Sequence, residues 1–207
     1  MLDHLPPEQA RPNLADLIRI NSRFGGHSVL KKLLLKAIDG HFPFTFLDIG
    51  SASGDTARLI GELYPGSTVT SLDCNAVNIE SAPYPKLLAD AFHLPFSEES
   101  FDYVFCSLFL HHFTDEQVVG LLQSFYRVAR KALLISDLER HLVPYLFLPA
   151  TRPFFRWHFV SVHDGMISVR AAFRREELVN LFKRAGIANV SAKVHRPAFR
   201  LSVIALK

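Results

Sequence analysis

An open α/β fold, with parallel strands and a ligand held at their carboxyl ends, is the class the sequence predicts. Three observations predict it. Residues 44–49 form a short apolar run of the kind buried in parallel sheets, and it passes through Gly50-Ser51-Ala52-Ser53-Gly54 into a helical pattern from Ala57 to Leu63. A second run, from Val69 to Leu72, ends in an acid, Asp73. Further along, a strand over 101–107, a helix over 116–131 and a strand over 132–136 continue the alternation that builds doubly wound sheets. In such folds the strand–turn–helix at 44–63 lies where ligands bind.

The elements follow in order. Asn13 is a candidate N-cap for a helix whose apolar residues, Leu14, Leu17 and Ile18, fall at helical spacing. Gly25-Gly26 breaks that helix, and Ser28 to Ile38 forms a second amphipathic one before Gly40. Val118, Val119, Leu121, Leu122, Phe125 and Val128 give the helix over 116–131 one broad apolar face. Residues 142–159 are apolar and aromatic but interrupted by Pro144, Pro149 and Pro153, which argues against a regular core element. A helix from Phe173 stops at Gly186, and runs over 190–195 and 199–205, separated by Arg196-Pro197-Ala198, close the chain as a hairpin. No repeat, low-complexity tract or linker interrupts the 207 residues, which suit one domain with a sizeable core.

Composition narrows the class further. Nearly half of the residues, 49%, are hydrophobic, yet no run of 18 or more apolar residues predicts a transmembrane helix. Residues 1–8 lack a basic-then-apolar leader. The two cysteines, Cys74 and Cys106, fall at the ends of strands expected to be non-adjacent, so a disulfide is not expected and a cytoplasmic location is. The net charge of +3 hides an asymmetry: residues 1–126 carry 8 basic and 15 acidic side chains, residues 127–207 carry 15 and 5. Two readings of the basic half stand: an anion-attracting surface, or solvated outer faces of terminal helices. Arg152 to Phe159 interleaves basic and aromatic residues as RNA-binding surfaces do, but no RNA-binding module accompanies it.

The turn at 50–54 decides which ligand is expected. A dinucleotide fingerprint needs glycine where this chain has Ala52 and Asp55. The stretch Asp48-Ile49-Gly50-Ser51-Ala52-Ser53-Gly54 instead resembles motif I of class I methyltransferases that use S-adenosylmethionine (SAM), with Ala52 in place of the middle glycine. Asp73 stands where that family holds the ribose, Ala89-Asp90-Ala91 where it takes the adenine amino group, and Phe101-Asp102-Tyr103-Val104 where a strand crosses under the cofactor. Leu110-His111-His112-Phe113 is similar to the loop of small-molecule members, including the ubiquinone and menaquinone biosynthesis type. Residues 13–26, 107–113 and 163–170 resemble bacterial methyltransferases associated with type III polyketide synthases.

The resemblance implies a Rossmann-like seven-stranded sheet of order 3-2-1-4-5-7-6, with helices on both faces and an N-terminal helical lid at residues 1–41. It implies SAM as cofactor, held by Asp48, Gly50, Ser51, Gly54, Asp73, Cys74, Asp90, Ala91 and Ser107, with Arg23 reaching its carboxylate. Residues 142–165 are implied to build the substrate pocket, with His141, Phe155, Trp157 and His163 facing a small aromatic or lipophilic acceptor. Methyl transfer depends on in-line placement, and a phenolic acceptor must also lose its proton. His111, with His112 as the alternative, is then the candidate base and Asp137 its orienting acid. No metal is expected, because Asp137 lacks the Asp-Asn neighbours of catechol-type enzymes. O-methylation of a hydroxylated natural product is the favoured activity. Alternatives are C-methylation of a quinone-like ring, RNA methylation, and SAM binding without catalysis, and nucleic acid is the less favoured partner.

Overall fold

The computed structural model describes residues 7–38, 40 and 42–207; residues 1–6, 39 and 41 of the expected lid, and most of the N-terminal stretch searched for a leader, lie outside them. Two helices, α1 (Pro7–Arg23) and α2 (Gly26–Ala37), precede the sheet. The strands are β1 (Thr45–Ile49), β2 (Thr68–Asp73), β3 (Lys86–Leu88), β4 (Phe101–Ser107), β5 (Ala129–Leu138), β6 (Val190–His195) and β7 (Arg200–Leu206). Among the described residues they form one seven-stranded sheet of order β3-β2-β1-β4-β5-β7-β6, as expected. The first five are parallel, and β7 runs antiparallel to both β5 and β6. The helices α3 (Asp55–Leu63), α4 (Ala76–Ile79), α5 (Asp115–Val128) and α8 (Arg175–Arg184) belong to this frame, while α6 (Leu142–Phe155) and α7 (Phe159–Ala171) stand above it.

Period-two alternation puts apolar residues on both faces of the sheet. Leu47, Val104, Cys106, Leu133 and Ile135 pack with Leu121, Phe125 and Phe182 of α5 and α8. Phe46, Tyr103, Phe105, Ala132 and Leu134 pack on the other face with Leu34 of α2 and Ile60 of α3. Both faces being covered explains why these strands read as continuous apolar runs. No disulfide joins Cys74, just past β2, to Cys106 in β4; these strands flank β1 from opposite sides.

Three expectations are corrected. Helix α1 spans Pro7–Arg23, so Asn13 lies within the helix and not at its start. Helix α5 ends at Val128 and residues 129–131, expected as helix, are already strand. Ala129 caps the helix through its N–H to the Phe125 carbonyl and pairs with Phe101, so the chain turns from helix to strand without a loop. Third, residues 142–159 are largely helical despite three prolines. Pro144 sits in the first turn, where its missing N–H has no helical partner to lose. Pro149 and Pro153 lie one turn apart, and the Thr151 hydroxyl donates to the Phe147 carbonyl (2.6 Å) between them.

Helices α1, α6 and α7 form a cap held by a buried acid. Asp16 of α1 accepts from the His158 N–H (2.8 Å), the Ser161 hydroxyl (2.8 Å) and Arg19 (3.0 Å). Arg19 also donates to the Phe155 carbonyl (3.1 Å) and lies over the Trp157 ring. Phe24 meets Phe147, Phe155 and Trp157 edge-on, and Phe155 stacks on Trp157. The outward Arg175, Arg184 and Arg196 of the basic half pair with Glu176, with Asp115 and Glu116, and with Glu139, so part of that half is neutralised within the chain. Replacing Asp16 by Ala removes a charged acceptor from buried donors, a loss of about 2 kcal/mol. Amide exchange in α6 and α7 of Asp16→Ala should quicken roughly 30-fold while β1, β4 and β5 keep their protection. Equal quickening throughout the sheet would count against a separate clasp.

Candidate functional site

The carboxyl ends of β1, β4 and β5, the inner faces of the cap and the β6–β7 turn enclose a cavity of about 940 Å³, near the upper end for small-ligand sites. Its β1 side is built by the 50–54 turn. The Ser51 N–H donates to the Leu72 carbonyl (3.0 Å) and the Gly54 N–H to the Ser51 carbonyl (2.9 Å). Ala52, in the place of a glycine, takes a φ of 46°, a left-handed conformation unfavourable for a side chain. Its N–H donates to Asp73 Oδ2 (3.0 Å), a charge-assisted bond that offsets this cost. The second Asp73 oxygen accepts from the Asn75 N–H (2.9 Å). Asp73 thus reaches into the turn while remaining part of the cavity wall.

Glycine is required at the start of that turn. At Gly50 φ is 67°, and a Cβ there would lie 2.5 Å from the Phe109 ring. Above it Asp48 is buried, and its Oδ2 has no hydrogen-bond partner among the described residues; the Ser51 hydroxyl is in the same position. Burial, with smaller contributions from Asp73 and Asp55, pushes the Asp48 carboxyl up to about 8 in spite of a hydrogen bond with Thr56. Unsatisfied buried polar atoms facing a cavity mark where a polar ligand belongs. Asp90 lies further round the wall, more exposed, capping a short 3-10 turn through the Phe92 N–H (2.9 Å) and bonded to His93 (2.9 Å). Those two contacts, the backbone one first, hold its carboxyl below the usual range. His27 bonds Asp55 at 2.6 Å and so ties α2 to the first turn of α3.

The β4–β5 side carries the acid–base candidates. Leu110–His112 form a 3-10 turn directly after β4. His111 Nδ1 lies 2.6 Å from Asp137 Oδ1, both side chains almost wholly buried. Asp137 also accepts from the Leu110 N–H (3.0 Å) and the Leu138 N–H (2.7 Å). Burial alone would raise this carboxyl, but the His111 contact, the Leu138 N–H and the charge of His112 together hold it below its ordinary value. With Nδ1 engaged, His111 has Nε2 left to exchange a proton. The exposed His112 ring lies 4.2 Å from that of His111.

Of the remaining expected residues, Arg23, Cys74, Ala91 and Ser107 line the cavity; Gly54 supports the turn from behind, where a Cβ would meet Ala82 and Pro83. Phe155 and Trp157 do not line it. Trp157 is buried in the cap, donating its indole N–H to Thr151 (2.9 Å), and both rings pack on Phe24, which does line the cavity. His141 caps α6 and does not line the cavity, though its ring lies tilted against Phe199, which does. His163 lies with Asp164 around a smaller cavity of about 250 Å³ on the far side of His111 and His112. The cavity also takes in Asn21, Lys32, His195 and Arg200. The signal for Arg200 was an arginine opening an otherwise apolar strand.

The comparisons agree with this geometry. Residues 47–134 match the family model described as a methyltransferase domain. The chain is 28% identical over 109 residues to a demethylmenaquinone methyltransferase of Thermotoga maritima, an alignment that takes in 50% of this chain and 48% of that protein; the chain thus spans about half the length of this curated relative. Among solved structures, a SAM-dependent methyltransferase of Aquifex aeolicus aligns over 98% of both chains, with a TM-score of 0.64 and 16% identity. Human N-acetylserotonin methyltransferase in complex with SAM aligns over 94% of this chain and 54% of its own, with a TM-score of 0.64 and 18% identity.

The state of Asp48 has a measurable consequence. Its folded value of about 8 lies above the ordinary 3.8, so the stability tied to its proton is complete below 3.8 and is lost as pH rises, fully so above about 8. Asp48→Asn fixes the neutral form. In urea titrations of the ligand-free protein, wild type should lose stability relative to this variant between pH 4 and 8, by on the order of a few kcal/mol. Parallel pH profiles for the two would place the Asp48 carboxyl in its ordinary range.

Proposed function

We propose that this chain, which carries a class I SAM-dependent methyltransferase domain, methylates a hydroxyl of a small acceptor with an aromatic ring. The observation that carries this reading is the buried His111–Asp137 pair, 2.6 Å apart, in the wall of the cavity at the ends of β4 and β5. SAM is the cofactor of the domain, and when bound it supplies a methyl group made electrophilic by its sulfonium. The residues present fit it. The unpartnered Asp48 Oδ2, the cleared space at Gly50 and the exposed Asp90 carboxylate stand on the half of the sheet built around β1. On this reading Asp73 holds the ribose, Asp90 the adenine amino group, and Arg23 the carboxylate.

A phenolic hydroxyl titrates near 10 and is a poor nucleophile until its proton leaves. His111 Nε2 takes that proton, and Asp137, fixed by two backbone N–H groups, keeps Nδ1 as the donor and balances the imidazolium that forms. Phe147 and Leu148 give the acceptor an apolar surface, and the cap keeps bulk water from the reacting atoms. C-methylation of a quinone-like ring is the second reading, supported by the name of the Thermotoga relative.

Transfer of labelled methyl from SAM to a panel of phenols and hydroquinones tests both readings. His111→Ala should lower turnover on phenols by about 10²–10⁴-fold with SAM affinity near wild type, and Asp137→Asn by a smaller factor. Wild-type turnover in the His111 variant would remove it as base and favour His112 or C-methylation.

A further inference from the structure

Arg200 opens β7 and is 3% exposed. One terminal nitrogen donates to Asn21 Oδ1 of α1 at 3.0 Å; the other, Nη1, has no partner among the described residues. A guanidinium carries five donors and stays charged, so burying one with a free face is costly unless a ligand completes it. Burial pushes its pKa down only to about 10, opposed by the charge of Asp137, so it is cationic at neutral pH. No carboxylate forms an ion pair with it among the described residues; Asp137 is engaged by His111, and Glu139 by Arg196 at 2.6 Å.

The surroundings favour an anion. The cavity there also takes in Lys32, while Arg196 is paired with Glu139, and His195, across the hairpin from Arg200, is held toward its neutral form by burial and by Lys193 and Lys32. The sequence preserves the arrangement at a second point: a Cβ at Gly26 would fall 2.7 Å from Asn21 Oδ1, the atom that holds the guanidinium. Position decides whose anion it is. In the sheet order β1-β4-β5-β7, Arg200 lies three strand spacings from the glycine turn of β1, about 14 Å. It stands instead beside Leu138, one residue past Asp137, on the half where the acceptor must meet His111.

We propose that Arg200 binds a carboxylate carried by the acceptor, so that the substrate is a hydroxylated aromatic acid and not a neutral phenol. This rests on the methyltransferase reading for the word acceptor, but the anion site itself does not. Arginine suits this task, because its fork matches both oxygens of a carboxylate. Asn21 is a positioning residue, since it orients the guanidinium from α1.

The probes are 3-hydroxy-2-naphthoate and 2-naphthol, which share ring and hydroxyl and differ by the carboxylate. Affinities are measured by calorimetry on the full chain, with and without saturating S-adenosylhomocysteine. Wild type should bind the naphthoate at least tenfold more tightly than naphthol. Arg200→Met should bring that ratio close to one, with affinity for naphthol and S-adenosylhomocysteine unchanged, and Asn21→Ala should lower the ratio part of the way. Should Arg200→Met fail to fold, Arg200→Lys keeps the charge without the fork and should reduce the preference about three- to tenfold. A wild-type ratio near one, failure of either variant to lower the ratio, or binding of neither probe overturns the proposal. Loss of S-adenosylhomocysteine affinity in Arg200→Met with the probe ratio intact also overturns it, because it assigns the guanidinium to the cofactor's carboxylate. Failure of wild type to bind S-adenosylhomocysteine would instead sink the methyltransferase reading and leave the probe ratio on the free protein to decide the anion site.

Discussion

The buried carboxylate of Asp137 is the constraint on which the active half of the cavity depends. Three donors converge on it: two backbone N–H groups and the His111 ring. A carboxylate without exposure is tolerable only when its oxygens are filled in this way. Because the Leu110 N–H is one of the donors, the same acid fixes the turn after β4 against the end of β5. That turn carries His111 into the wall and leaves Phe109 beside Gly50. Neutralising Asp137 would therefore disturb the path of the chain around the glycine turn as well as the histidine.

The β1 half is organised on the same plan by a different acid. Asp73 bonds the backbone of Ala52 and Asn75, so the ends of β1 and β2 and the turn between them are one hydrogen-bonded unit. It also explains how a side chain is accommodated where the family pattern has glycine. The left-handed backbone costs about 1–2 kcal/mol for alanine, and a hydrogen bond to a charged acceptor contributes a similar amount.

Much of this was legible in the sequence, and the reasons are specific. Strands covered on both faces leave unbroken apolar runs, so β1, β2, β4 and β7 could be placed within a residue or two. Asp73 was legible as the acid closing an apolar run, and Asp137 only through the resemblance carried by the loop over 110–113. The passage from α5 to β5 was not, because Arg130 and Lys131 are exposed in either state and carry no periodic signal. Residues 142–159 misled for a different reason. Proline argues against helix locally, but one proline falls in a first turn and packing of the cap holds the rest in place. Phe155 and Trp157, expected to face the acceptor, pack instead on Phe24 and Arg19 of α1, which leaves Phe147 and Leu148 to face the cavity, while Phe154 is exposed. Arg200 was hidden because its meaning depends on Asn21, 179 residues away.

Charge links the two halves. The imbalance along the sequence is reduced in three dimensions, since Arg130 and Lys131 meet Asp102, Lys207 meets Glu99, and Arg184 meets Asp115 and Glu116. Within the cavity, Asp73 and Asp90 line the β1–β2 side and Lys32 and Arg200 the β7 side, where Arg196 is already paired with Glu139. Low-dielectric walls strengthen such a separation. An acid-lined half suits a cofactor bearing positive charge, and a base-lined half suits an acceptor bearing negative charge. Asp137 and His111 lie between the two sides. A ligand placed the wrong way round would meet like charge at both ends, and repulsion of that kind gives orientation without any further contact.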